Sequence, residues 1–390
     1  MRTNDKVIQR SKMVECDQPI NQLNLFEKLC STEVLRAAFK TVDKNKGAPG
    51  IDGVTIKQFK NNLNEELSII KQDLVTWNYY PKPVRGIEIP KPSGGKRLLG
   101  IPCIKDRVVQ AAIKLLLEPL FEPQFSDNSY GFRPGRNQQQ AVKHAQKIIQ
   151  SGKEFIVDID LAKFFDRIQH DRLINNLRKT VQDKRILRLI GMTLRSGIMK
   201  DGLIKQSSEG ATQGSPLSPL LSNIVLDELD KTLEGRGLEF CRFADDCNIF
   251  VRTEKAAKRV MGTVTKLIEK KLKLTVNKDK SKVAKSNKVK FLGMTIIAMT
   301  IAISKQSINA AMGKVKELTP RGTHLTLEKN IDKINQWYVG WSAYYRMTQY
   351  PAQLMKIEAH IRRRLRSRIV DQQKLRRSLA NKLISRGIPK

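Results

Sequence analysis

The stretch "RFADDCNIF", residues 242–250, constrains the fold more than any other part of the chain. It sets two adjacent carboxylates, Asp245 and Asp246, between Phe243 and Ala244 on one side and Ile249, Phe250 and Val251 on the other, a run that otherwise reads as buried strand. Taking one ionised carboxylate out of water costs on the order of several kcal/mol, so a side-by-side pair needs a compensating cation. Asp accepts turn geometry, and Asp-Asp between two apolar runs is most simply the tip of a β-hairpin. Alone, that arrangement requires no function.

A second acid-bearing strand changes the weight of the first. In "KEFIVDIDLAKFF" (153–165), Phe155, Val157, Ile159 and Leu161 share one face, which puts Asp158 and Asp160 on the other before the strand runs into a helix. If this strand and the hairpin are neighbours in one sheet, Asp160, Asp245 and Asp246 converge. Such a cluster suits Mg²⁺, which takes carboxylates and phosphates and keeps several waters. Two such ions about 3.5 to 4 Å apart serve phosphoryl transfer by steadying both the attacking and the leaving oxygen.

Elsewhere the first 45 residues have helical spacing (Leu23, Phe26, Leu29, Val34, Leu35, Ala38), broken by "KGAPGIDG". A helix is expected from Phe59 to Trp77, then a hairpin in "IEIPKPSGGKRLLGIP" turning at Ser93-Gly94-Gly95, then a helix from Lys105 to Phe121. "TQGSPLSPLLSNIVLDELDKTL" reads as a loop entering an amphipathic helix. Another helix is expected over 255–271, a strand in "LKLTV" and strands over 291–303, and from about Met312 the texture is all-helical.

The charge balance narrows the partner. Lys and Arg number 72 against 38 Asp and Glu, a net charge of +34, which fits a polyanion held through released counterions. The last 35 residues carry 12 Lys or Arg and two acids, including "RRRLRSR", and read as a nucleic-acid-facing helix. The longest apolar run, Phe291–Ile303, is too short and too broken by threonine to span a bilayer, and the N-terminal stretch has no signal-peptide pattern, so a cytoplasmic, non-membrane protein is expected. Five cysteines without a CxxC pair and four histidines without metal-ligand spacing argue for reduced thiols and against zinc.

Seven segments in order, "KPSGGKRLLGIPCIKDRVVQ", "SYGFRPGR", "DIDLAKFFD", "QGSPLSPLLSNIVLDELD", "RFADD", "LTVNKDKSK" and "FLGM", resemble reverse transcriptases of the group II intron type, the intron maturases. The resemblance runs over residues 25–385 and implies an α+β right-hand polymerase: fingers and palm with an antiparallel palm sheet, followed by an all-helical thumb. It implies an N-terminal helical extension at 1–45, fingers and palm at 46–305 and a basic helical thumb or maturase domain at 306–390. Carried over by position, it places two Mg²⁺ ions on Asp160, Asp245, Asp246 and the Leu161 carbonyl. Phe165 matches the aromatic gate against a ribose 2′-hydroxyl, which implies deoxynucleotide substrates. Lys91 and Arg97 match triphosphate clamps, a role that suits cations on two arms of a hairpin. Gln213 matches the residue beside the incoming nucleotide, and Lys280 or Lys282 the lysine near the leaving pyrophosphate. Arg133 and Arg136 are expected on template or primer phosphate, as are Arg362, Arg363, Arg364 and Arg366 of the tail.

The resemblance implies an RNA-directed DNA polymerase, of bacterial origin and without an endonuclease domain, that takes an RNA template, a DNA primer or target and dNTPs, and that binds intron RNA as a splicing maturase. Two other readings differ in class: a maturase that only folds RNA, and a domesticated polymerase in host defence or DNA repair. Clustered acids beside a polyanion disfavour the pure binder, because they repel phosphate without metal. The chain departs from the family's YADD box in having Phe243 for Tyr, which removes one hydroxyl and keeps the ring.

Overall fold

The computed structural model describes residues 24–90, 94–205, 209–320, 325–372 and 381–385. By its contacts the chain divides into two units that interrupt each other in sequence, Met1–Phe121 with His170–Ser218, and Glu122–Gln169 with Pro219–Lys390. This division cuts across the three consecutive segments expected from sequence.

The first unit starts with α1 (Leu25–Leu29) and α2 (Thr32–Lys44). Ser31 caps α2 by accepting the Val34 N–H, and Leu35, Ala38, Phe39 and Val42 form its buried stripe. The single helix expected from Phe59 to Trp77 is two, α3 (Ile56–Asn61) and α4 (Leu63–Val75). A Thr55–Gln58 capping box starts the first earlier, and Asn62, whose side chain favours non-helical backbone, leaves helical geometry between them. The glycine hairpin is β1 (Val84–Pro90) and β2 (Lys96–Ile101), in register from Arg85 opposite Ile101 to Pro90 opposite Lys96. Gly94 and Gly95 both have positive φ. Next comes α5 (Ile104–Phe121), whose Arg107 is buried and donates to the carbonyls of Pro102 and Ala48.

The chain then enters the second unit for α6 (Gln138–Gln150) and β3 (Phe155–Ile159). It returns to the first for α7 (His170–Arg178), α8 (Lys184–Arg195), β4 (Ile198–Lys200) and β5 (Leu203–Lys205). There β4 lies parallel to β1, giving a sheet of order β2-β1-β4-β5. The remainder belongs to the second unit: α9 (Ser218–Gly235, from Pro219), β6 (Glu239–Phe243), β7 (Asp246–Val251), α10 (Glu254–Lys266), β8 (Lys282–Lys285), β9 (Met294–Ile297), β10 (Thr300–Ile303), α11 (Lys305–Leu318), α12 (Leu327–Tyr345) and α13 (Pro351–Gln372).

The second unit's main sheet has the order β6-β7-β3-β8 with every neighbour antiparallel, the expected antiparallel sheet, and α11 to α13 are the expected helical region after it. "LKLTV" forms no strand of its own; Val276 alone bridges to Leu161. One core packs Ala141, Ile148 and Ile149 of α6 against Ile156, Phe250 and Ile301. Trp341 and Tyr345 lean on it, and Trp337, Tyr338 and Trp341 cover a smaller cluster of Ala311, Val315 and Ile357. These aromatics therefore serve packing. Among the described residues four cysteines are free and buried, and no helix is long and apolar enough to cross a membrane.

Candidate active site

The register of the second unit's sheet brings the acids together. β3 pairs with β7 with Phe155 facing Val251 and Ile159 facing Cys247, so the two strands bring Asp160, just past the end of β3, and Asp246, the first residue of β7, to the same end of the sheet, where the charge of Asp160 acts on Asp246. Phe243 faces Asp246 across the β6–β7 hairpin, which leaves Ala244 and Asp245 as a two-residue turn. Asp246 is crowded by protein yet still open to solvent on one side; that loss of hydration first, and then the charges of Asp245, Asp160 and Asp158, push its pKa up to about 6. Asp158, opposite Asn248 and Lys282, is likewise pushed up to about 6 by burial, with Asp160 raising it and Lys282 opposing.

Asp160 is held on three sides. Its N–H donates to the Ser281 hydroxyl at 3.0 Å, its carbonyl accepts the Asn277 N–H at 2.8 Å, and its Oδ2 accepts from the Asn277 amide at 2.9 Å. Lys280 Nζ stands 3.7 Å from the same oxygen. Lys282 instead reaches the Lys288 carbonyl, so of the two lysines Lys280 is the one beside the acids. Leu161 and Val276 form a bridge flanked by the bonds of Ala162 to Thr275 and of Asn277 to Asp160, a pairing in which Leu161's own carbonyl points away from that segment. Phe164 is buried while Phe165, edge-on to it at 5.2 Å, is half-exposed.

The cation in "RFADDCNIF" is Arg242, and it does not pair with the site acids. It is wholly buried, as is its partner Asp230 of α9; its Nε and Nη2 bond the two Asp230 oxygens at 2.7 and 2.5 Å. Its Nη1 donates to Asn223 Oδ1 and to the Ala244 carbonyl at 2.9 Å. Ala244 has φ +57°, a left-handed conformation that costs an alanine roughly 1 to 2 kcal/mol, and the Arg242 bond fastens that turn. Behind it lies Gly131, where a Cβ would come within 2.2 Å of the Ala244 nitrogen, so only glycine fits. Asn223 donates to the Gly131 carbonyl, joining this backing to the Arg242 network.

Arg133 and Arg136 follow that glycine in sequence, and here the expectation for Arg133 needs correction. Arg133 is buried, bonded to Glu122 and to the carbonyls of Ser126 and Ser129, so its guanidinium is used inside the chain and does not reach phosphate. Arg136 is bonded to Asp127 and lies over the Tyr130 ring. On α13, Arg362, Arg363 and Arg366 are exposed, but Arg364 turns inward onto Thr319. Arg242, Asp230, Asn223, Asn277 and Ser281 were missed because each looks like an ordinary polar residue; the double use of "LTVNKDKSK" around Asp160 was signalled only by its position in a motif.

In the first unit, Arg97 is exposed on β2 opposite Ile89, and Lys91 lies outside the described residues. Gln213 is half-buried, and its carbonyl accepts the Gly100 N–H at 2.8 Å. Gly214, at φ +109°, packs so close that a Cβ would meet the Gly100 oxygen at 2.7 Å, and Ser215 bonds Gln110 of α5. The "TQGSPLSP" turn is thus fixed to the end of the strand that carries Arg97.

Residues 89–296 match the family described as reverse transcriptase (RNA-dependent DNA polymerase). The chain belongs to that family. Residues 308–384 match the group II intron maturase-specific domain. Among curated relatives, protein YkfC of Escherichia coli is 32% identical over 311 residues, covering 70% of this chain and 82% of YkfC. The group II intron-encoded protein LtrA of Lactococcus lactis is 29% identical over 379 residues, covering 80% of this chain and 62% of LtrA. A solved Cas6-RT-Cas1–Cas2 complex has a chain 24% identical over 63% of this one and 42% of its own, at a TM-score of 0.40. This reverse transcriptase thus combines a polymerase region with a maturase-type helical region, and its macromolecular partners are nucleic acids.

Among the described residues no group of three or more His, Cys, Asp or Glu side chains is arranged to hold a metal ion by itself. The donor chemistry nevertheless suits a hard cation that also takes substrate oxygens and water: the acids offer oxygen alone, and the charges of Asp245 and Asp160 raise the pKa of Asp246, a repulsion that a divalent ion neutralises.

Proposed function

We propose that the chain extends a DNA primer on an RNA template at the acid cluster of the second unit, and that it binds intron RNA as a splicing maturase and supports intron mobility. The observation that carries the polymerase reading is the β3–β7 register, which brings Asp160 and Asp246 to one end of the sheet with Asp245 in the adjoining turn. Asp160, Asp245, Asp246 and the Leu161 carbonyl would hold two Mg²⁺ ions, which when bound neutralise the charge that builds as a 3′-hydroxyl displaces pyrophosphate. Lys280, beside Asp160, is the residue to deliver a proton toward the leaving pyrophosphate. Phe165 is the gate against a 2′-hydroxyl, a role its half-exposure supports, while buried Phe164 supplies the packing. Arg97, Gln213 and Lys91 bind the incoming dNTP. Exposed Arg362, Arg363 and Arg366, within the segment matching the maturase-specific domain, meet RNA phosphate.

The test is primer extension on an RNA template with dNTPs and Mg²⁺, run beside Asp245→Asn at matched RNA affinity. Extension by the wild type, reduced at least a hundredfold in the variant, is the expected result; in the same assay Phe165→Ala admits ribonucleotides. Tight RNA binding by both proteins without extension by either would leave only the RNA-folding role.

A further inference from the structure

Away from the acids, the first unit holds a groove of about 680 Å³ between the end of α4's following turn and the helices α7 and α8. Four cations line it, Arg178, Lys184, Arg188 and Arg195, and no acid does. Lys184, Arg188, Gly191 and Arg195 recur every three or four residues, so one face of α8 forms the wall, with its cations about 6 and 10.5 Å apart along the axis. Among the described residues none of the four makes an ion pair. Arg185, between them in sequence, is by contrast bound to Asp183 and Glu27.

Two details mark the groove as built. Arg188 lies 4.5 Å over the Trp77 ring, Trp77 stacks at 5.3 Å and 1° on Phe26, and Arg185 lies 4.8 Å over the Phe26 ring. The contact with Trp77 holds Arg188 before any ligand arrives. Gly191 sits in the middle of α8, where glycine weakens a helix; a Cβ there would meet the Arg195 guanidinium at 3.2 Å, so its absence leaves room for Arg195 to lie along the floor. Tyr80, 72% exposed, lines the same groove with Pro81 and Pro83.

We propose that this groove binds single-stranded RNA, with successive phosphates along Arg178, Lys184, Arg188 and Arg195 and a base stacked on Tyr80. The cations supply charge complementarity without reading sequence, and an exposed ring in the same groove supplies a face on which an unpaired base stacks, which favours a single strand over a duplex whose bases are already stacked. The groove shares no lining residue with the acid cluster.

The experiment measures binding of a labelled 12-nucleotide oligouridine by fluorescence anisotropy across a salt series, using the full chain. Lys184→Gln with Arg195→Gln should weaken binding and lower the salt slope by about 1.4, at about 0.7 per phosphate contact. Tyr80→Ala should weaken binding on the order of tenfold with the slope unchanged, and Tyr80→Phe should restore it. A 4-thiouridine oligonucleotide should crosslink to the peptide carrying Tyr80. Extension of a preformed RNA–DNA primer–template at saturating concentration should be unaffected in all of these variants, so a failure here is distinguishable from a failure of the polymerase reading. Unchanged affinity and slope in both sets of variants would overturn the proposal. So would loss of poly-glutamate binding with RNA binding intact, which would give the groove to an acidic protein.

Discussion

In the second unit's sheet β7 is buried from Cys247 to Val251, whereas in the first unit's sheet β5 is exposed along its whole length and β2 is exposed from Lys96 to Leu98. The difference follows the charge each sheet presents. Acids that must lie close together repel, and their geometry has to be imposed from behind, by a buried Arg242–Asp230 pair, a close-fitting Gly131 and the bonds from Asn277 and Ser281. Cations meant for a polyanion repel little when solvated, and Arg97 needs only a strand to project it. A buried ion pair therefore backs the acids, while Arg97 stands on an exposed strand face.

The strongest way to break this comparison is Arg242→Met. It leaves Asp230 buried without its cation and should cost about 3 to 5 kcal/mol in urea unfolding, with most of the loss recovered by adding Asp230→Leu. Extension should stay impaired in the double variant, because the Ala244 turn has lost its anchor. A cost below about 1 kcal/mol would mean the pair is incidental.

A buried acid without such a partner sharpens the contrast. Asp106 of the first unit accepts from the Tyr79 hydroxyl and the Lys82 N–H, yet burial pushes its pKa up to about 6. The folded state thus holds this proton more tightly than the unfolded chain, whose carboxyl titrates near 3.9. Stability should fall as pH rises from about 4 to about 6, by on the order of 2 kcal/mol, and level off above. Asp106→Asn should lose that share of the slope in unfolding measured across the window, while Asp158 and Asp246, raised to about 6 as well, keep theirs; an unchanged slope would assign it to those groups alone.

The smallest effect is expected on the exposed side. Arg97→Ala should raise KM for dNTPs about tenfold and shift stability by less than about 0.5 kcal/mol. A large loss of stability instead would make Arg97 structural and erase the distinction.

The acids were legible because strands have a period of two, so residues 155–161 and 243–251 announce which side each carboxylate takes. The cation was not legible. Arg242 lies in the quoted stretch, but only the fold brings it to Asp230, on another element, and an arginine alternating along a strand looks the same whether paired or solvated. Arg133 misled for the same reason, since nothing local says that Glu122 and two carbonyls claim it. Arg364 turns onto Thr319 and the exposed Lys282 reaches the Lys288 carbonyl, partners that no local pattern announces. Helices α6, α7 and α8 went unread, although "KRILRLIGMTLR" carries a helical repeat, and β5 is three exposed residues with no pattern to read.

The account rests most directly on whether the converged acids hold a hard divalent cation. Titrating Mn²⁺ into the nucleic-acid-free chain and following free Mn²⁺ by electron paramagnetic resonance tests this without any turnover. The account predicts binding that Mg²⁺ displaces, lost in Asp160→Asn and Asp246→Asn while their melting temperatures stay near the wild type. Equal Mn²⁺ binding by the wild type and both variants would contradict it.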